Sequence, residues 1–588
     1  MQPTVLRFQF IVIGTFFFGA LGSQASEPPQ SSPALKRKVL TGFSRYFPGD
    51  PQAPIEAPTE GLAIEVAAHG VISKITPPKH LEETCPRTEC EWIDLKGATL
   101  FPGLHDTHTH QISNGAMSDR AVVQGSDISE IQNIVREFAR QNPQNPWILG
   151  RGWNAAGFNG NYPTAADLDA AVSDRPVLLV DSDGHSIWVN TAALQAAEVD
   201  ASTKDPAGGT VVRDQEGNPS GVFLENAADL IWAATPDSTP EQLERYILSA
   251  EKTSIEAGFT SHHGGPVGVA TIEAYLKLDQ EGRLKQPSYL WADLHADEET
   301  FEKYINLSRT LQARPNGKVT ISAFKGFVDG VISSYTGALV DPYHDSPSTR
   351  GEAGLTQEEL NQLVLRANAA GFPVAIHAVG DLGVRMALDA FEESQKILQH
   401  PFMNRIEHIE VVHPLDVPRF AKLNVAAAMQ PSHMHFRSQD TSYYDERLGL
   451  DRLAYAFAWG TLERAGATLL FGTDAPVVPQ DAIEALHCAF RRTYRNNIQF
   501  HPENRVSPET AVQAMSGSAQ RSLMGLPFVV SSGTLREGQL ADFVAFQEDP
   551  FRAVFKAVNQ NPVSFLMIRG EVILSPHTGR NSTPKRGP

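Results

Sequence analysis

Across the middle of the chain, strand-like apolar runs alternate with helix-like segments. The runs fall at 99–108, 258–263, 288–296, 319–329, 372–378, 404–411, 425–430 and 467–473. Parallel neighbours need a long crossover, usually a helix, so this alternation predicts βα units around a parallel sheet. Eight such runs point to a sheet closed on itself, a (β/α)8 barrel of the TIM type. Closure has a further consequence. In such barrels the reactive residues stand at the C-terminal ends of the strands, so polar residues there carry more weight than elsewhere.

Between the first and second runs lies a long insertion at about 111–250, with its own strand-like segment Pro176-Val177-Leu178-Leu179-Val180. A span of that length is expected to form a subdomain, a wall or lid over the barrel mouth. Two β-rich regions stand at opposite ends of the chain. Residues 37–98 hold candidate strands Val39–Gly42, Ala63–Ala67, Val71–Ile75 and Trp92–Leu95. Residues 531–575 hold Ala541–Phe546, Ser564–Ile568 and, after a Gly570 turn, Glu571–Leu574. Neither half has enough apolar residues for its own core, so the two are expected to pair into one composite β-sandwich, with 99–530 as the barrel between them.

The N-terminus reads differently. Arg7, the apolar run Phe10–Leu21 and the small-residue stretch Ser23-Gln24-Ala25 have the form of a cleavable signal peptide over 1–25. The apolar run is too short to span a bilayer of about 20 helical residues, so no stable membrane span is expected after cleavage. A secreted or periplasmic location follows, and there Cys85 and Cys90 are expected to pair. Cys488 reads as buried packing. The net charge of -19 argues against nucleic acid as a partner, because phosphate binding needs a basic footprint.

The strongest chemical signal is Pro102-Gly103-Leu104-His105-Asp106-Thr107-His108-Thr109-His110. Alternate residues of a strand share a face, so Asp106, His108 and His110 are expected to project together, two imidazoles holding a divalent ion with Asp106 supporting them. Further candidates end later runs: His377 with Asp381 beyond it, Glu407-His408, and Asp474 in Gly472-Thr473-Asp474-Ala475-Pro476. Lys325 stands inside an apolar strand, where an ammonium is costly unless it is neutralised by a carboxylate such as Asp329 or chemically altered.

These motifs, with Gly152-Trp153-Asn154, Asp183-Gly184-His185, Asp329-Gly330, Gly533-Thr534-Leu535 and Gly538-Gln539-Leu540-Ala541-Asp542, resemble the amidohydrolase superfamily, and within it the YtcJ-like, amidohydrolase-3 branch. The resemblance covers about 37–575. It implies a distorted barrel with a composite sandwich, in agreement with the independent reading. It makes His108 and His110 ligands of a first metal, with Asp474 completing that site and acting as general base. It makes Lys325 a carboxylated bridge and puts His377 and His408 on a second metal. Histidine and carboxylate ligands suit zinc first, as one ion or two, and also iron or manganese. Trp153, His185, Glu225, His263 and His433 are candidates for contact with a small-molecule substrate, and a homodimer is a family-level expectation. The activity implied is metal-activated attack of water on a C–N bond, in an amide, N-formyl or cyclic amide. Ester, lactone or phosphoester hydrolysis uses the same water, and a silent binding protein on the same barrel is the non-enzymatic alternative.

Overall fold

Eight parallel strands form the centre of the computed structural model, which describes residues 36–49, 61–158, 161–182, 184–206, 208–314, 316–437, 443–493, 499–526, 533–552 and 563–575. In chain order they are β1 (His105–Asp106), β2 (Ser261–Val267), β3 (Ser288–Asp293), β4 (Val319–Phe327), β5 (Val374–Ala378), β6 (Arg405–His408), β7 (Ala426–Met429) and β8 (Thr468–Phe471). Each pairs in parallel with the next. Buried on both faces, they read as near-continuous apolar runs, as in Ala426-Ala427-Ala428-Met429. The last strand meets the first through single backbone bonds: Thr107 N–H to Phe471 O at 3.4 Å and Asp474 N–H to His108 O at 2.7 Å. Gly472 permits that approach, because a Cβ there would strike the His108 backbone. Helices cover the outside with sequence-encoded starts. Thr356 and Glu359 form a capping box at Gln357–Ala369, and Asp297 caps Glu298–Gln312.

The first run divides differently from the expected 99–108. Thr99–Pro102 belongs to the sandwich, where it lies parallel to Arg45–Tyr46 and antiparallel to Phe543–Phe546. Only His105–Asp106 joins the barrel. Pro102 has no N–H to continue a ladder, and Gly103 donates instead to Asp542 O at 2.7 Å, so the chain changes sheets there. The sandwich itself unites both chain ends. One sheet orders Ile72–Thr76, Ala63–Val66, Lys38–Thr41 and Glu91–Asp94. The other orders Arg45–Tyr46, Thr99–Pro102, Phe543–Phe546, Val563–Ile568 and Glu571–Leu574. Leu40, Ile64, Leu100, Phe543, Phe565 and Met567 fill the space between them. Cys85 and Cys90 are bonded and buried beside Val39 and Leu81. The leader expected over 1–25 lies outside the described residues, and among those residues no helix is long and apolar enough to cross a membrane.

The insertion builds a six-stranded sheet from Ala121–Gly125 to Pro219–Glu225, with Gly209–Arg213 at its edge. Separate apolar clusters cover its two faces, one around Trp153, Leu179 and Trp188, the other around Leu178, Ile187 and Phe223. The subdomain ends before the expected residue 250. Pro240–Glu256 is the barrel helix leading into β2, capped by Thr239 and packed against Gln111–Gly115.

Candidate metal centre at the mouth of the barrel

His108 and His110 leave β1 just past its last paired residue, and Asp474 leaves β8 just past Phe471, so the meeting of first and last strands brings them together. Asp474 holds φ at +61°, a left-handed conformation that few residues besides glycine accept and that clusters at functional sites. Its Oδ1 lies 3.1 Å from His110 Nε2 and 3.5 Å from His108 Nε2. Its Oδ2 lies 3.6 Å from His433 Nε2 and 3.9 Å from His408 Nδ1. One carboxylate thus faces two donor sets, His108/His110 and His408/His433, each compact enough for one ion.

His108 is aimed by a carboxylate. Its Nδ1 donates to Glu407 Oε2 at 2.6 Å, and Arg405 grips both Glu407 oxygens while donating to Thr107 O at 2.9 Å. An ionised carboxylate only accepts, so Nδ1 carries the proton and Nε2 presents its lone pair toward Asp474, the arrangement by which metal-binding histidines are oriented. His433 has a looser version of the same backing, with Nδ1 3.6 Å from Glu410 Oε1, and Glu410 in turn accepts from the Tyr444 phenol.

Burial, reinforced by neighbours such as Lys325, holds the His108 and His408 imidazoles well below their usual range, and His377 likewise. They are therefore neutral, the form that binds metal. Burial pushes Asp474 upward, but the hydrogen bond and charge of His110, with His433 and Lys325 behind, outweigh it and hold Asp474 at about 2. Burial lowers the Lys325 ammonium to about 8 against the pull of Glu407 and Asp474. Its Nζ sits over the rings of Phe327 (4.7 Å) and Trp291 (5.7 Å). Asp329 is not its counterion: that carboxylate accepts the backbone N–H groups of Ala338, Val379 and Gly380.

The side chains present fit a divalent ion. His108 Nε2 and Lys325 Nζ are buried without a hydrogen-bond partner, an arrangement that ordinary interiors avoid. Two imidazoles and a carboxylate are a donor set for zinc-class metals.

Of the expected ligands, His108, His110, His408 and Asp474 come together. His377 stands beside them, its ring 4.4 Å from that of His408 and its Nε2 bonded to Gly330 O at 3.1 Å. Asp106 does not share the His108 face. The strand ends at Asp106, so alternation stops there, and its carboxylate binds Thr473 N–H, the Thr473 hydroxyl and Gln480. It supports the site by fixing the residue before Asp474. Two substrate candidates are corrected. Trp153 is fully buried in the inserted sheet, its indole N–H bonded to Leu179 O at 3.0 Å and its ring against Trp188. His263 is buried inside the barrel, bonded to His105 at 3.1 Å and packed on Tyr289. His433 proves to face Asp474 directly, and His185 and Glu225 reach the mouth as a bonded pair. Sequence reasoning named Glu407 among the strand-end candidates without assigning it to His108, and missed Glu410. The available signal was Arg405 and Glu407 at alternate positions of one short strand, a charged pair sharing a face and needing a purpose.

The chain matches the sequence profile of the amidohydrolase family, Amidohydro_3, over residues 91–574. YtcJ of Bacillus subtilis (strain 168), named as an amidohydrolase, is 33% identical over 534 residues, 88% of this chain and 96% of its own. The N-substituted formamide deformylase of Arthrobacter pascens is 24% identical over 481 residues, 79% of this chain and 86% of that one. Among solved structures, an uncharacterized metal-dependent hydrolase from Pyrococcus horikoshii OT3 superposes with a TM-score of 0.69 at 23% identity, covering 88% of this chain and 98% of that one. Another, from Pyrococcus furiosus, gives 0.67 at 25% identity, covering 88% and 100%. With its barrel, its sandwich and its histidine–aspartate corner, this chain belongs to the amidohydrolase family.

Proposed function

We propose that the protein hydrolyses a C–N bond of a small molecule, in an amide, N-formyl or cyclic amide, at a divalent metal held by His108, His110 and Asp474, with His408 beside them. The observation that supports this most is the Asp474 carboxylate, fixed in a left-handed backbone and facing imidazoles on both oxygens. A bound zinc-class ion supplies Lewis acidity and lowers the pKa of water to about 7. Asp474, ionised and shielded, then accepts the proton of the attacking water and returns it to the leaving nitrogen as the C–N bond breaks. Glu407 keeps His108 in the tautomer that leaves Nε2 for the metal.

Lys325 suits carboxylation. An amine at about 8 is partly unprotonated near neutral pH, so its nitrogen can bond to the carbon of carbon dioxide and release a proton, giving an anion where the ammonium would repel a metal. The relative from Arthrobacter pascens, named for deformylating N-substituted formamides, supports C–N over ester chemistry. The leader-like N-terminus and the Cys85–Cys90 bond support export.

The test is a panel of N-formyl, N-acyl, cyclic amide and ester substrates, offered to zinc-loaded and chelator-stripped protein. Turnover of a C–N substrate only when zinc is present supports the proposal. Turnover confined to esters, or none with zinc bound, overturns it.

A further inference from the structure

One short segment at the end of β6 serves both oxygens of Asp474. Glu407 backs His108, His408 faces Asp474 Oδ2, and Glu410 stands behind His433. The segment is bent to do so. His408 has φ +76° and Ile409 φ +50°, consecutive left-handed conformations that residues other than glycine keep only where the surroundings enforce them. Three backbone bonds enforce them here: Ile409 N–H to Ala378 O at 3.1 Å, Val411 N–H to Val379 O at 3.0 Å, and Phe457 N–H to Glu410 O at 2.9 Å. The bend lets His408 reach Asp474 while Glu410, two residues on, reaches His433.

The turn after β7, Pro431–Arg437, meets it from the other side. Gln430, just before that turn, stands 3.4 Å from His108 Nδ1, and His433, whose N–H bonds Gln430 O at 3.0 Å, stands at Asp474. Donor atoms of His408, His433 and Asp474 thereby lie within 4.8 Å of one another, all three residues being buried. Ligands about 2.0–2.2 Å from a tetrahedral ion stand about 3.3–3.6 Å apart. Asp474 Oδ2 lies 3.6 Å from His433 Nε2 and 3.9 Å from His408 Nδ1, too far for hydrogen bonds and close to the spacing of ligands. Asp474 Oδ1 keeps a like spacing to His110 and His108, 3.1 and 3.5 Å.

We infer that His408 Nδ1, His433 Nε2 and Asp474 Oδ2 bind a second divalent ion, with Asp474 shared between the two ions and His377 left as a neighbour; the inference rests on the metal reading above. Family resemblance puts His377 in the place taken here by His433. The Nε2 of His377 is turned instead to Gly330 O at 3.1 Å, and the carboxylate beside that nitrogen is Asp329, at 3.9 Å. Asp329 is itself committed to the N–H groups of Ala338, Val379 and Gly380. Two imidazoles and a carboxylate make a three-donor zinc site of the catalytic kind, with the fourth position left for water or substrate. Glu410 provides the carboxylate that backs liganding histidines, and the Tyr444 phenol holds Glu410 in place. His433 is thus a ligand and not the substrate contact that the resemblance implies.

The experiment counts zinc per chain after equilibrium dialysis of wild type, His433→Ala, His377→Ala and Glu410→Gln, and measures each affinity by competition with a chelator. Wild type is expected to hold two ions, His433→Ala one, and His377→Ala two. The ion that His433→Ala keeps reports an intact His108/His110 corner. Glu410→Gln should keep both ions but bind the weaker one about 10-fold less tightly, the lower end for such backing groups because this contact is longer than the one behind His108. A wild type that saturates at one ion overturns the inference, as does a His433→Ala protein that still holds two. Loss of the second ion in His377→Ala with both retained in His433→Ala overturns it in favour of the arrangement that resemblance implies. Unchanged affinity for both ions in Glu410→Gln overturns it too, whether or not His433→Ala folds. In each of these cases the ion at His108 and His110 stands. A wild type that binds no zinc removes the metal reading itself, and the inference falls with it.

Discussion

Replacing Glu407 by Gln changes one charge and almost no volume, and the structure separates its consequences. The carboxylate is fully buried, takes the Arg405 guanidinium on both oxygens and receives His108 Nδ1 at 2.6 Å. On the metal side, loss of a carboxylate behind a liganding histidine weakens affinity by about 10–100-fold, or about 1.4–2.7 kcal/mol. On the folding side, Arg405 is left as a buried cation without its counterion, which costs about 3–5 kcal/mol. The bond to Thr107 O and the position over the Trp291 ring at 4.8 Å are present before and after the substitution, so they leave the difference unchanged. A destabilisation of about 3–5 kcal/mol is expected. Zinc competition against a fluorescent chelator reads the first effect, and urea unfolding of metal-free protein reads the second. Adding Arg405→Met to Glu407→Gln removes the orphaned cation, so stability should recover while zinc affinity stays low. If Glu407→Gln folds and binds zinc as tightly as wild type, the carboxylate does not orient His108 and the reasoning fails.

Asp474→Asn should retain zinc at the His108/His110 pair but lower turnover by about 10²–10⁴-fold, measured as kcat on the best amide; wild-type turnover would remove its role in proton transfer. Lys325→Ala should lose zinc relative to wild type, and intact-mass analysis of native protein should find one carbon dioxide that the variant lacks. Trp153→Ala should destabilise the chain by about 3–5 kcal/mol in denaturant unfolding with KM little changed, whereas a raised KM in folded protein would return Trp153 to the substrate pocket. Cys85→Ser with Cys90→Ser should lower stability by about 2 kcal/mol, the loop-closure value for so short a ring, and abolish any response to reductant.

The barrel was legible because its strands are buried on both faces and its helices announce their starts, as Thr356 and Asp297 do. The composite sandwich was legible for a different reason: two short β regions, each too poor in apolar residues to fold alone, had to share a core. The fate of Thr99–Pro102 was not legible, because a buried apolar strand looks the same whichever sheet it joins, and only the partner at Phe543–Phe546 decides. Within the site, His108 and His110 stood out by spacing, but alternation misplaced Asp106 because it was carried past the end of a two-residue strand. Trp153 misled because a large aromatic residue in a glycine-rich motif serves packing as well as binding. Glu407 and Glu410 act through contacts with His108 and His433 that no local pattern encodes.

The sheet change at Gly103 also sets the order in which this enzyme can come alive during its synthesis. The segment that carries His108 and His110 is moored by Gly103 to Asp542 and by His105 N–H to Met515 O at 2.6 Å, and its neighbour Thr99–Pro102 is an inner strand only once Phe543–Phe546 has emerged. A growing chain that already holds His108 and His110 therefore lacks the contacts that seat them until Met515, Asp542 and Phe543–Phe546 have left the ribosome.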